Sequence, residues 1–145
     1  MTVAPYPLAM VVCDAVWRDP GTGKFFILGT FTTIHSHTFP ATHPQLAVYV
    51  SLTDGRGTIP VKLTLVSTEQ EDVELLFEAE LEFEFNDPRM IAELVFTVQG
   101  VAFPKPGEYR FQLFAGGDFV IERRILLIQL RGDKTEKAEE GDDDE

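Results

Sequence analysis

His35, His37 and His43 are all the imidazoles in the chain, and they stand close together. On an extended strand His35 and His37 point to one face about 7 Å apart. With His43 returning over a loop, the three could meet a zinc or copper ion. The set lacks a fourth ligand, since no acidic residue lies between Asp19 and Asp54. The competing reading is three imidazoles solvated or bonded to loop carbonyls, or titrating together as a proton-sensitive patch near neutral pH.

Cys13 stands beside Asp14 and would need an electropositive, partly exposed setting to act as a thiolate nucleophile. Its neighbours Met10, Val11, Val12, Ala15 and Val16 are apolar instead, so a small buried side chain is expected. Pro20–Gly21–Thr22–Gly23–Lys24 has the outline of a phosphate loop. The full motif needs Gly where Arg18 stands and Ser or Thr where Phe25 stands, and it must open a helix. A hairpin turn accounts for these residues. No serine sits in a nucleophile-elbow context. The expectation is a chain that is not an enzyme and carries no cofactor.

One further row has chemistry in it. Glu78, Glu80, Glu82 and Glu84 alternate with Phe77, Ala79, Leu81, Phe83 and Phe85. A period of two puts the carboxylates on one strand face and the apolar set on the other. A one-residue slip would bury four carboxylates, which fixes the register. The carboxylate ladder is either a solvated face or a landing site for a basic protein partner.

The elements that must position these groups are short apolar runs separated by turn residues. Strands are expected at residues 8–17, 24–36, 45–53, 59–68, 74–85, 90–103, 108–115 and 119–130. Asp19–Gly23, Asp54–Gly57, Asn86–Pro88, Pro104–Gly107 and Gly116–Asp118 supply turns. No window of ten or more residues has helical periodicity. About eight strands with short connections predict an all-β, antiparallel, immunoglobulin-like β-sandwich. Gly107–Glu108–Tyr109 at a strand start matches the tyrosine corner of such folds, the alternative being a hydroxyl that reaches solvent. Glu122–Arg123–Arg124 inside an apolar run predicts an edge strand or a bulge. The residues from His37 to Pro44 read as a long connection and a candidate binding loop.

Composition sets the bounds. The chain has 145 residues, 44% of them hydrophobic, and 12 Phe, which is material for one core. Cys13 is the single cysteine, so no internal disulfide forms and a reducing compartment is expected. With no basic residue before Arg18 and no apolar run of membrane-spanning length, the expectation is a soluble, cytoplasmic chain with no membrane partner. The net charge is −12, which disfavours nucleic acid as a partner. The last thirteen residues hold eight acids and two lysines, and the rest sixteen acids and ten bases, so each part carries −6. Residues 1–131 are therefore expected to form the β domain and 132–145 a disordered acidic tail.

Several residue groups together resemble an uncharacterised bacterial family of small β-sandwich proteins. They are Cys13–Asp14, Gly23–Lys24 leading to Leu28–Gly29–Thr30–Phe31, Phe39–Pro40, His43–Pro44, Phe103–Pro104 and Phe111–Gln112–Leu113. The resemblance covers roughly residues 6–130. It implies a fold and a bacterial origin and no activity.

The function expected is a non-catalytic protein-interaction or structural module that could self-associate. Phe25, Phe26, Phe31, Phe114 and Phe119 exceed what one core face of their strands absorbs, which suggests an exposed patch or a homo-oligomer interface. The alternatives are an acidic, chaperone-like binder of a basic client, and a small-ligand or metal-binding protein using His35, His37 and His43.

Overall fold

The computed structural model describes residues 1–68 and 73–131. The expected acidic tail, 132–145, and the polar link at 69–72 lie outside the described residues. The described residues form nine strands: β1 (Tyr6–Arg18), β2 (Phe25–Thr30), β3 (Thr33–Ser36), β4 (Ala41–Thr53), β5 (Gly57–Ser67), β6 (Glu74–Phe85), β7 (Ala92–Phe103), β8 (Gly107–Ala115) and β9 (Asp118–Gln129). They build two sheets, one in the order β2-β1-β4-β7 and one in the order β3-β9-β8-β5-β6.

Nine strands replace the expected eight because the run from Lys24 to Ser36 is not one strand. It pairs with β1 up to Thr30, opposite Cys13, then crosses to the other sheet and lies beside β9 from Thr33. The Phe31 N–H donates to the Val12 carbonyl at 3.3 Å, and the Thr32 carbonyl accepts from the Leu126 N–H at 3.0 Å. Two successive residues thus serve opposite sheets. The β3–β9 pair is parallel, which corrects the expectation of antiparallel neighbours throughout. That expectation rested on short connections, and here most of the chain separates the two partners.

Alternation positions the core. Val48 lies between Val12 and Phe96 across one sheet, and Leu63 between Ala79 and Leu113 across the other. The buried residues of both sheets make one hydrophobic cluster, with Phe103, Phe111 and Tyr109 among its largest side chains. Strand β6 follows its sequence pattern. Phe85 is buried and Phe77, Ala79, Leu81 and Phe83 pack on the core, while the four glutamates are exposed.

The connection before β4 is shorter than expected. His43 and Pro44 belong to β4, with His43 opposite Val101 of β7, so the loop is 37–40 and not His37–Pro44. Strand β9 is flanked by β8 along most of its length, but β3 covers only Leu126–Gln129. Glu122–Arg124 therefore occupies the half of β9 without a neighbour on that side, and the β8–β9 register shifts between Leu113 and Phe114.

The Tyr109 ring is buried, and its hydroxyl donates to the Lys105 carbonyl at 2.6 Å and accepts from the Lys105 N–H at 3.1 Å. It holds the β7–β8 turn against the core, as a tyrosine corner does. Tyr109→Phe leaves both backbone groups of Lys105 without this partner. We expect a loss of about 1–3 kcal/mol in denaturant unfolding, with the slope unchanged.

Candidate functional site

The hairpin of β1 and β2 has a turn shaped by one side chain. The Asp19 carboxylate accepts from the Gly21 N–H at 3.1 Å and the Thr22 hydroxyl at 2.7 Å. The backbone closes it, with the Asp19 N–H bonded to the Lys24 carbonyl at 2.8 Å and the Gly23 N–H to the Asp19 carbonyl at 2.7 Å. These bonds hold the Asp19 carboxylate below its ordinary range, the Thr22 hydroxyl contributing most. The Gly-rich segment is a hairpin turn.

Beyond the turn, Trp17 lies opposite Phe26 and Ala15 opposite Leu28. Residues opposite and two apart share a face, so Trp17, Phe26 and Leu28 form one apolar row. They are 51%, 45% and 51% exposed, and the Trp17 and Phe26 ring centroids are 5.3 Å apart. On the alternate face Phe25 packs its ring 5.9 Å from that of Tyr49, with the Arg18 guanidinium 4.8 Å above it. Strand β2 ends the sheet, so its outer backbone edge has no strand beside it among the described residues.

Gly29 is required where it stands. Its φ is +72°, and a Cβ there would come within 2.5 Å of Asp14 Oδ2. The Asp14 carboxylate thus lies across β2 at a residue that offers no side chain of its own.

Other sequence-flagged residues scatter. His35 is exposed on β3, opposite Ile128. His37 is in the turn that follows, its carbonyl accepting from the Gln129 side chain at 3.2 Å. His43 is on β4 of the other sheet, its ring 5.5 Å from that of Phe31. Among the described residues, no three His, Cys, Asp or Glu side chains form a group that could hold a metal ion.

Cys13 is fully buried. Burial pushes its thiol above the ordinary value, outweighing the lowering effect of backbone hydrogen bonding at Ala15 and Leu28. That is the environment of an inert thiol.

Glu78, Glu80, Glu82 and Glu84 line the exposed face of β6, the last strand of its sheet. Lys62 Nζ reaches Glu78 at 3.8 Å. A cleft of about 450 Å³ lies between the start of β6 and Gly100 of β7, and among the described residues Glu74 is its one ionisable lining residue. Another, of about 370 Å³, has Phe31, Arg123 and Arg124 in its lining and, among the described residues, no acid. Neither pairs an acid with a base. Arg123 is also engaged, its Nε donating to the Met10 carbonyl at 2.9 Å.

Of the phenylalanines flagged in sequence, Phe26 and Phe119 are exposed, and Phe25, Phe31 and Phe114 are half-buried. Trp17 and Leu28 were not flagged. The signal that finds them is the hairpin pairing itself, which aligns alternate residues of two apolar strands on one face.

A family model described as "Family of unknown function (DUF6941)" matches residues 8–128, in keeping with the resemblance to an uncharacterised family. No curated protein matches the chain. Among solved structures, the chain is similar to the beta-D-glucoside glucohydrolase from Trichoderma reesei, at 13% identity and a TM-score of 0.45, over 86% of this chain and 19% of that one. It is similar to a beta-glucosidase from Listeria innocua in complex with glucose at 11% identity and a TM-score of 0.43, over 86% and 17%. The chain thus spans less than a fifth of the length of either enzyme, and likenesses of this size carry no argument about its chemistry. Among the described residues, no helix is long and apolar enough to cross a membrane.

Tyr49, which supports Phe25, has its phenol pushed up to about 12 by burial and by its hydrogen bond to the Glu93 carboxylate. An unfolded tyrosine ionises near pH 10. Tyr49 therefore favours folding fully below that pH, and the contribution fades as pH rises towards 12. In a spectrophotometric titration the Tyr49 phenolate should form only near pH 12. Glu93→Gln should bring that transition to lower pH.

Proposed function

The chain belongs to this family of unknown function, DUF6941, and for it we propose the role of a non-catalytic protein-interaction module, cytoplasmic and built on an immunoglobulin-like β-sandwich. One observation carries the reading: the row of Trp17, Phe26 and Leu28, half-exposed on a hairpin whose outer strand is, among the described residues, a free sheet edge. Aromatic side chains concentrated on a small patch are the usual anchors of protein contacts. A free edge adds backbone hydrogen bonds to an incoming strand. The immunoglobulin-like assignment is supported by the buried Tyr109 corner and by two sheets sharing one core. The non-catalytic assignment is supported by the buried thiol of Cys13 and by clefts that pair no acid with a base.

A second reading, an acidic binder of a basic client, is favoured by the exposed carboxylates of Glu78, Glu80, Glu82 and Glu84 on β6. Such a face steers a basic partner through its field, and its attraction weakens with salt.

The test is capture of proteins from native lysate on immobilised wild type, Phe26→Lys, and a quadruple Gln variant at Glu78, Glu80, Glu82 and Glu84. The first reading predicts a specific partner kept by the glutamine variant and lost with Phe26→Lys. A basic partner with the opposite pattern, released by modest salt, would replace it with the second.

A further inference from the structure

We propose that the partner at the hairpin is a second copy of this chain, joined antiparallel along β2 with Ile27 on the two-fold axis. The proposal rests on the interaction-module reading and names its occupant. Three features of the hairpin point to it.

The first is charge. Of the four strands that end the sheets, β6 carries its row of glutamates, β7 carries Glu93 and β3 carries His35. Strand β2, Phe25–Thr30, carries no ionisable residue. Edges are normally guarded by charge against pairing with other chains. Two β6 edges would set carboxylate against carboxylate, which is destabilising. Two β2 edges meet without repulsion, although the chain as a whole is strongly acidic.

The second is backbone phase. The Asp19 N–H bonds the Lys24 carbonyl, and narrow and wide pairs alternate from there along the hairpin. Phe26 and Leu28 therefore spend their N–H and C=O groups on β1, and Phe25 and Ile27 turn theirs outward; the alternation breaks at Gly29, whose φ is +72°, and beyond it the Phe31 N–H bonds the Val12 carbonyl. An antiparallel pair centred on Ile27 sets Ile27 against its own copy and Phe25 against Gly29. The outward-facing N–H and C=O groups of the two Ile27 residues then meet in register, as a hydrogen-bonded pair on the axis. On the exposed face the same register sets Phe26 of each copy against Leu28 of the other, flanked by Trp17.

The third is electrostatic complementarity. The row through Phe25 contains Arg18 of its own copy and Gly29 and Asp14 of the other. Arg18 leans over Phe25, and Asp14 leans over Gly29, where there is no side chain to separate them. Three strand spacings put the two backbones about 14 Å apart, a span that an arginine and an aspartate leaning towards each other close. Among the described residues neither Arg18 nor Asp14 makes an ion pair within its own chain. The two-fold axis makes the contact twice.

Sedimentation equilibrium of the full chain, with variants, tests this. Wild type should dimerise reversibly. Ile27→Pro removes an N–H that faces outward, so the fold tolerates it better than at a central strand, and dimer affinity should fall at least tenfold. Asp14→Arg and Arg18→Glu should each weaken the dimer about tenfold. An equimolar mixture of these two variants pairs arginine with aspartate and arginine with glutamate, and should restore dimerisation to near wild type. A wild type that stays monomeric at several hundred micromolar would overturn the proposal, as would a dimer indifferent to Ile27→Pro and to the charge swap. A monomer that still captures a specific partner lost with Phe26→Lys would overturn the dimer and leave the interaction-module reading standing.

Discussion

The hydrogen bonds of Phe31 and Thr32 decide what the rest of the molecule can do. Phe31 gives its N–H to Val12 in one sheet, and Thr32 gives its carbonyl to Leu126 in the other. Two adjacent residues therefore stitch the sheets together on one side. The crossing ends β2 at Thr30 and sends the chain to a parallel place beside β9. Among the described residues it also leaves β1 without a paired strand on its outer side before Cys13, where Arg123 of β9 caps the Met10 carbonyl. The core, with residues from both sheets in one cluster, closes behind this seam.

From that crossing follows a division of the surface. The β1–β2 hairpin projects with an apolar row on one face and an Arg–Phe–Tyr stack on the other. On the five-stranded sheet, Arg110 joins Glu108 at 2.5 Å and also pairs with Glu122, which Gln112 holds at 3.0 Å. That network and the β6 glutamates cover their sheet with charge and hydrogen-bonding groups. Among the described residues, strand β2 has no comparable cover. The uncharged edge and the charged one thus sit in different sheets, so an association through one does not bring the other into repulsive contact.

Much of this was legible in the sequence wherever local alternation sufficed. The Glu–apolar alternation of β6 set its register, its wet face and its apolar face, because a slip would bury four carboxylates. The turn and the strand carrying Tyr109 were legible from Gly107 and the residues that follow, but not that the hydroxyl turns back to the Lys105 carbonyl instead of reaching solvent. What could not be read was decided by distant pairing. A run such as Phe25–Ser36 shows extended backbone but not that its two halves join different sheets. The placement of His43 in β4 depends on Val101, far along the chain. The exposure of Trp17 and Leu28 depends on which face of the hairpin the body leaves open. Strand patterns specify faces, and partners far away in sequence specify which faces are covered.

The central claim is that the outer backbone of β2 is an association edge, and amide hydrogen exchange at Ile27 reads it directly. Among the described residues no strand lies beside that edge within the chain, so the Ile27 amide should exchange quickly in dilute protein. The account predicts that its protection rises with protein concentration while that of Leu28, bonded to β1, stays constant. An Ile27 amide that exchanges equally fast at every concentration would contradict it.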